Sequence, residues 1–335
     1  MIKQIKWVQI IIALIIGFFI GLPINSQDII DKLFGNSTAK SFREGQKGLI
    51  NPLLGFEIST DKADFKEYQP LENKLIEIVN QKINDYHLTK ISIYFRDINN
   101  GHWTGVNEND VYNPASLLKV PLMIAYYRVA EDNPATLYEK IQYNNKDSQN
   151  DTQTFKPAKN LIQGNWYTVE DLIARMIMYS DNNAYFILLN HIKLDYLKEV
   201  FSDLNVNLPS FSQVPSLDYM SAKKYSYFFR VLYSSTYLTQ EYSQKALELL
   251  TKSDFNVGIV AGLPSNITVA HKFGEKTIVD KKGNFISKEL HDCGIIYPSG
   301  NPYLLCIMSI GNNFDVLKNT IKDISALVYS DSQNK

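Results

Sequence analysis

The sequence is poor in cysteine, poor in histidine and nearly free of net charge. Two cysteines among 335 residues exclude a disulfide-rich scaffold and any zinc site built on four thiolates. Five histidines, His87, His102, His191, His271 and His291, show no metal-ligand spacing, so neither a metal nor another cofactor is expected. Only His271 falls beside a candidate catalytic segment. Thirty-four basic side chains face 35 acidic ones, a net charge of −1. A nucleic-acid binder normally carries a basic excess, so no nucleic-acid partner is expected. No G-x-S-x-G elbow occurs, which leaves an α/β-hydrolase triad without support. Internal repeats and low-complexity tracts are absent too. What is present is a chain 45% hydrophobic and 12% aromatic, with 21 tyrosines and 17 phenylalanines. Such a chain can bury a core, and its length allows one large domain or two small ones.

The N-terminus stands apart. Lys3 and Lys6 precede an apolar run from Ile10 to Leu22, flanked by Trp7 and Pro23. Positive charge followed by an apolar stretch is the secretory order. Trp7 to Ile24 approaches the ~20 residues that a bilayer span needs. No small-residue cleavage motif follows, and Ile24-Asn25-Ser26 is a poor substitute. Residues 1–25 therefore read as an uncleaved membrane anchor in preference to a cleaved signal. Both versions place the body outside the cytoplasm, with the lysines inside. No cysteine nearby supports a lipoprotein anchor. Residues 26–70 hold no period and are interrupted by Asn36-Ser37-Thr38, Gly45, Gly48 and Pro52. They read as an extracytoplasmic tether, with Leu53-Leu54-Gly55-Phe56 suited to dock on the domain that follows over 71–335.

From Leu71 the pattern is regular. Leu71, Leu75, Ile76, Ile78, Val79 and Ile83 recur at helical spacing. Ile91 to Phe95 and His102 to Val106 read as strands joined by Asn99-Asn100-Gly101. Helices are expected over 115–132, 168–192, 221–234 and 240–252. Strands return over 269–273, 291–297 and 303–310. The order predicts one α+β domain whose antiparallel sheet is assembled from both chain ends and flanked by helices, with a mostly helical subdomain between 116 and 250.

The sharpest chemical signal is in the segment Tyr112 to Pro121, which opens an apolar helix. Ser116 and Lys119 are three residues apart, so they share a helix face at its first turn. A serine hydroxyl becomes a good nucleophile only when a base takes its proton. A lysine serves if burial and nearby positive charge lower its proton affinity. The free N–H groups of a helix start also lie where an oxyanion forms. By itself S-x-x-K also fits a helix-start serine with a snorkelling lysine.

Two later segments narrow the choice. Ser180-Asp181-Asn182 follows an apolar helical stretch that begins after Thr168, a residue suited to cap it. Lys272-Phe273-Gly274-Glu275 lies at the end of a strand, before a turn. The order Ser-x-x-Lys, Ser-Asp-Asn, Lys-x-Gly is that of class A β-lactamases and penicillin-binding proteins. The late strand His291 to Pro298 adds to the likeness. Over roughly residues 71–330 the sequence resembles the class A β-lactamase-like serine hydrolases.

The resemblance implies a β-lactamase/transpeptidase-like fold and assigns roles. Ser116 is the acyl-accepting nucleophile and Lys119 its base, alone or sharing that role with a water. Ser180 passes a proton to the leaving nitrogen. Asn182 holds the substrate amide and braces Lys119. Lys272 keeps Ser180 in register and attracts a substrate carboxylate, while Gly274 and Glu275 border the substrate. Backbone N–H groups of Ser116 and Glu275 form the oxyanion hole. The implied partners are a β-lactam or a peptidoglycan peptide, handled by a monomer held to the membrane through its N-terminal segment. The alternative activities are a D,D-carboxypeptidase and a sensor without turnover.

Two departures from the family pattern matter. The stretch Asn207 to Tyr219 contains no glutamate to activate a deacylating water, and Asp218 is its only acid. A bland role near the next helix start suits Asp218 better than water activation. In the third motif, Phe273 replaces a hydroxyl residue and Glu275 a small one. If Glu275 faces the cleft it repels a carboxylate, so an amidated or cationic substrate terminus is expected, and Phe273→Thr with Glu275→Ala should improve penicillin acylation. Strand alternation that turns both side chains away is the competing expectation. Lastly, Cys293 and Cys306 flank the turn Pro298 to Pro302 symmetrically. They suit either a cross-strand disulfide or two buried thiols, and the thiols are preferred.

Overall fold

The computed structural model describes Leu49 and residues 65–333, apart from Lys146, Phe211 and Pro215. The expected anchor and the docking segment Leu53 to Phe56 lie outside the described residues. Among the described residues no helix is long and apolar enough to cross a membrane.

A 3-10 turn, Lys66–Tyr68, leads into α1 (Gln69–Tyr86). Pro70 sits in the first turn of α1, where a missing N–H leaves no bond unmade. Leu71, Leu75 and Val79 bury one stripe of it. Strand β1 (Lys90–Asp97) turns into β2 (Trp103–Val106) through Gly101, whose φ of 81° suits a residue without Cβ. Next come β3 (Val111–Tyr112), a 3-10 turn at Ala115–Leu118, and α2 (Lys119–Asp132). The short strands β4 (Lys140–Gln142) and β5 (Trp166–Thr168) pair with one another and enclose a long loop. Helices α3 (Val169–Met178), α4 (Asn182–His191) and α5 (Leu194–Asp203) follow. Then come β6 (Met220–Ser221), α6 (Ala222–Ser234), α7 (Gln240–Leu250) and a 3-10 turn at Ile259–Gly262. The chain ends with β7 (Thr268–Val279), β8 (Phe285–Tyr297), β9 (Tyr303–Gly311) and α8 (Phe314–Gln333).

The main sheet has the order β2-β1-β9-β8-β7, antiparallel throughout. Early strands β1 and β2 join late strands β7 to β9, as the α+β expectation requires. Alternation gives each face its own core. Ala270, Cys293, Ile295, Leu304, Cys306 and Met308 pack with the helices of the middle region. Val269, Phe273, Leu290, Leu305 and Ile307 pack with α1 and α8. Strand β7 is left as an edge.

Three expectations change. The helix expected over 168–192 is two helices. Thr168 caps α3 through a reciprocal bond with Asp171, and the chain breaks at Ser180, whose φ is 52°. Asp181 then starts α4 by accepting from the N–H groups of Asn183 and Ala184. The periodicity places no helix at α5 or α8, yet α8 buries Leu317, Ile321, Ile324 and Val328 at regular helical spacing. Finally, Cys293 and Cys306 are register partners on β8 and β9 and form a disulfide, which corrects the preference for free thiols.

Candidate active site

The turn that carries Ser116 is braced from three sides. Ala115 takes a left-handed φ of 47°, and its N–H donates to Asn113 Oδ1 at 3.1 Å. Asn113 Nδ2 ties the turn to the loop before β6, donating to Val214 O (3.1 Å) and Leu217 O (2.9 Å). His291 Nε2 lies 3.0 Å from Asn113 O, and Tyr225 Oη donates to Leu117 O at 2.9 Å. A non-glycine residue held at positive φ carries strain that surrounding contacts must overcome, and those contacts fix the turn.

Lys119 opens α2 and points back along it toward Ser116. Its Nζ is 3.0 Å from Ser116 Oγ, 2.6 Å from Ser180 O, 3.0 Å from Ser180 Oγ and 2.7 Å from Asn182 Oδ1. From the opposite side Lys272 Nζ donates to Ser180 Oγ at 2.9 Å and to Phe273 O at 3.0 Å. Lys119, Ser180 and Lys272 are buried; Ser116 and Asn182 keep part of their surface exposed.

Gly274 permits this closeness. A Cβ there would lie 2.8 Å from Pro114 O and 3.2 Å from Leu117 N. Its absence lets β7 pass against the Ser116 turn, which brings the backbone of residues 275 and 116 to one side of the cleft.

Burial sets the electrostatics. Lys119 is held well below the usual lysine range, first by burial and then by the charge of Lys272, against the opposing pull of Asp181 and Glu275. Lys272 is lowered by burial to about 7, with Asp292, Asp254 and Glu275 opposing. Asp292 is itself buried, accepting from Ile259 N (2.9 Å) and contacting His271 Nδ1 (2.8 Å). An amine whose hold on its proton is weakened in this way, set beside a serine hydroxyl, is a competent base.

Phe273 belongs to the core shared with α1 and α8, and Lys272 Nζ lies 4.1 Å from the centroid of its ring. Phe273 is buried and stacks on Phe255, with ring centroids 4.0 Å apart and an interplanar angle of 14°. Phe273→Thr would therefore remove core packing and give no hydroxyl to the cleft, which corrects that half of the double substitution. The Glu275 carboxylate accepts from Phe155 N at 2.8 Å. Asp218 is exposed, and its carboxyl is raised first by partial burial and then by the charge of Glu289, against Lys276, Lys90 and His291; the charges acting on Lys119 are Lys272, Asp181 and Glu275.

The motifs gave no warning of the β4–β5 loop at the site. Gln153 Nε2 donates to Ser180 O at 3.0 Å, and Asn150 Oδ1 accepts from Asn182 N at 2.8 Å. The sequence signal was faint: amides in a polar loop, far from any motif.

The model of the family described as the beta-lactamase enzyme family matches residues 70–331. A comparison with curated proteins finds no match. Among solved structures, a point mutant of PBP-A in its acyl-enzyme complex with penicillin G superposes with a TM-score of 0.65 at 18% identity, covering 79% of this chain and 97% of that one. A class A beta-lactamase from Mycobacterium abscessus gives 0.63 at 19% identity, covering 77% and 99%. A beta-lactamase from Chitinophaga pinensis gives 0.65 at 18%, covering 79% and 100%. At these identities the structures establish the fold, which is β-lactamase/transpeptidase-like, while the family model establishes the kinship. By that family match the chain belongs to the beta-lactamase enzyme family.

Proposed function

We propose that the protein is an extracytoplasmic active-site-serine acyl-hydrolase that cleaves a β-lactam or a peptide amide through an acyl-Ser116 intermediate. The carrying observation is the buried Lys119 amine 3.0 Å from Ser116 Oγ, with its proton affinity well below normal. Lys119 takes the hydroxyl proton as Ser116 Oγ attacks the carbonyl carbon. The N–H groups of Ser116 and Glu275 receive the developing oxyanion. Ser180, bonded to both amines, delivers a proton to the leaving nitrogen as the C–N bond breaks. Water then hydrolyses the ester. Asn182 fixes Lys119 through Oδ1 and offers its amide to the substrate. Residues 1–25 hold the domain to the membrane and residues 26–70 tether it.

A second reading is a peptidoglycan D,D-carboxypeptidase or a long-lived acyl sensor. It is favoured by the loop over 207–219, which has no glutamate, and by Asp218, an exposed residue that is not among the charges acting on Lys119. An intact-mass time course of the full-length protein with a penicillin separates the readings, with Ser116→Ala as control. A Ser116-dependent adduct that decays as product accumulates supports hydrolysis. A lasting adduct supports the second reading. No adduct with a penicillin or with a stem peptide overturns both.

A further inference from the structure

The segment Gln153–Phe155 crosses from the helical side of the site to the sheet. At one end Gln153 Nε2 donates to Ser180 O at 3.0 Å. At the other, Phe155 N donates to Glu275 Oε1 at 2.8 Å, and Thr154 stabilises the charged form of the same carboxylate. Asn150 anchors the near end, its Nδ2 donating to Asp181 Oδ1 at 3.0 Å. The Phe155 ring anchors the far end, set edge-on against Phe255, Phe273 and Phe314 at 5.1, 5.8 and 5.5 Å. Three consecutive residues thus strap Ser180 to the edge strand β7 beside the candidate nucleophile.

We infer that this strap is a latch closed by Glu275, and that Glu275 makes the site select substrates bringing an N–H or cationic group to the β7 edge and reject those bearing a carboxylate there. The inference rests on the acyl-serine reading for where the substrate lies.

Hydrogen-bond satisfaction sets the preference. Glu275 is half-buried, burial raises its carboxyl above the usual range, and among the described residues Phe155 N is the donor to its carboxylate, with Thr154 beside it. A substrate that lies along β7 displaces that donor. The carboxylate is then left without partners in a desolvated place, an arrangement disfavoured unless the newcomer supplies an N–H or a positive charge. A substrate carboxylate does the opposite by placing like charge against it, and unfavourable pairings of this kind are how sites discriminate. Lys272 offsets little of this repulsion, because burial brings it to about 7 and it is only partly charged at neutral pH.

The test separates binding from acylation. Full-length protein carrying Ser116→Ala is titrated calorimetrically with a penicillin and with the neutral carboxamide made from that same penicillin's carboxylate. The amide should bind at least fivefold tighter than the acid. Adding Glu275→Gln, which keeps the side chain's size and is checked by thermal melting, should abolish that preference. Gln153→Ala, which loosens the other end of the strap without changing charge, should speed binding of both ligands and leave the preference intact. Equal affinities in Ser116→Ala, a preference that survives Glu275→Gln, or binding of neither ligand overturns the inference. With Ser116 intact, a missing adduct alongside a retained charge preference overturns the acyl-serine reading and leaves the latch standing.

Discussion

Lys119 and Lys272 converge on one oxygen: their Nζ atoms lie 3.0 and 2.9 Å from Ser180 Oγ. Two buried amines this close cannot both be charged cheaply, since burial penalises each ammonium and each repels the other. The pair is the electrostatic centre of the site, and Ser180 is the hydroxyl through which the two communicate.

Lys119→Met should leave the fold in place and remove the base. The side chain is unbranched and fills similar space, but nothing then accepts the Ser116 proton. General-base assistance is worth about 10²–10⁴-fold, so Ser116-dependent adduct formation should slow by that order. The adduct rate by intact mass, beside a thermal melt of the same sample, checks this.

The pH profile of acylation should respond to Lys272. The Lys272 charge is the second cause, after burial, that holds Lys119 below its usual range. Lys272→Met removes a like charge, so Lys119 holds its proton up to higher pH. The rise of the acylation rate that accompanies Lys119 deprotonation should therefore move to higher pH in Lys272→Met. An unmoved profile would mean that the two amines do not share an electrostatic environment.

The Cys293–Cys306 bond closes a short loop, with a sequence separation of 13. Chain-entropy bookkeeping for a loop of this size gives about 3 kcal/mol. Replacing both cysteines by serine should lower stability by that order, and by somewhat more because both sites are fully buried. Denaturant unfolding of wild type, with and without reductant, against the double variant measures it.

Gly274→Ala should damage the site before it unfolds the domain. The new methyl would sit 2.8 Å from Pro114 O and 3.1 Å from Leu117 Cγ, and β7 or the Ser116 turn must give way. Overpacking of this kind costs about 1–3 kcal/mol. The adduct rate should fall by far more than the melting temperature suggests, because the turn that moves is the one that aims Ser116.

Several features of this protein were already determined by its sequence. The α+β order follows from period-2 and period-3.6 apolar patterns that survive in Ile91 to Phe95 and in Leu71 to Val79. The ordered motifs named Ser116, Lys119, Ser180, Asn182, Lys272 and Gly274, and the fold brings them together. These are legible because local spacing and residue type carry them. Other features were decided only in three dimensions. Whether Cys293 and Cys306 bond depends on register, and β8 and β9 set them opposite one another. That Phe273 points into the core depends on which face of β7 meets α1 and α8. The break at Ser180 interrupts an apolar run that by itself reads as continuous helix, because Lys119 and Gln153 both take the Ser180 carbonyl. The strap from Gln153 to Phe155 joins groups 27 and 120 positions apart in sequence. No local pattern announces such a contact, since what holds it is the desolvated Glu275 carboxylate, whose need for donors exists only once the chain has folded around it.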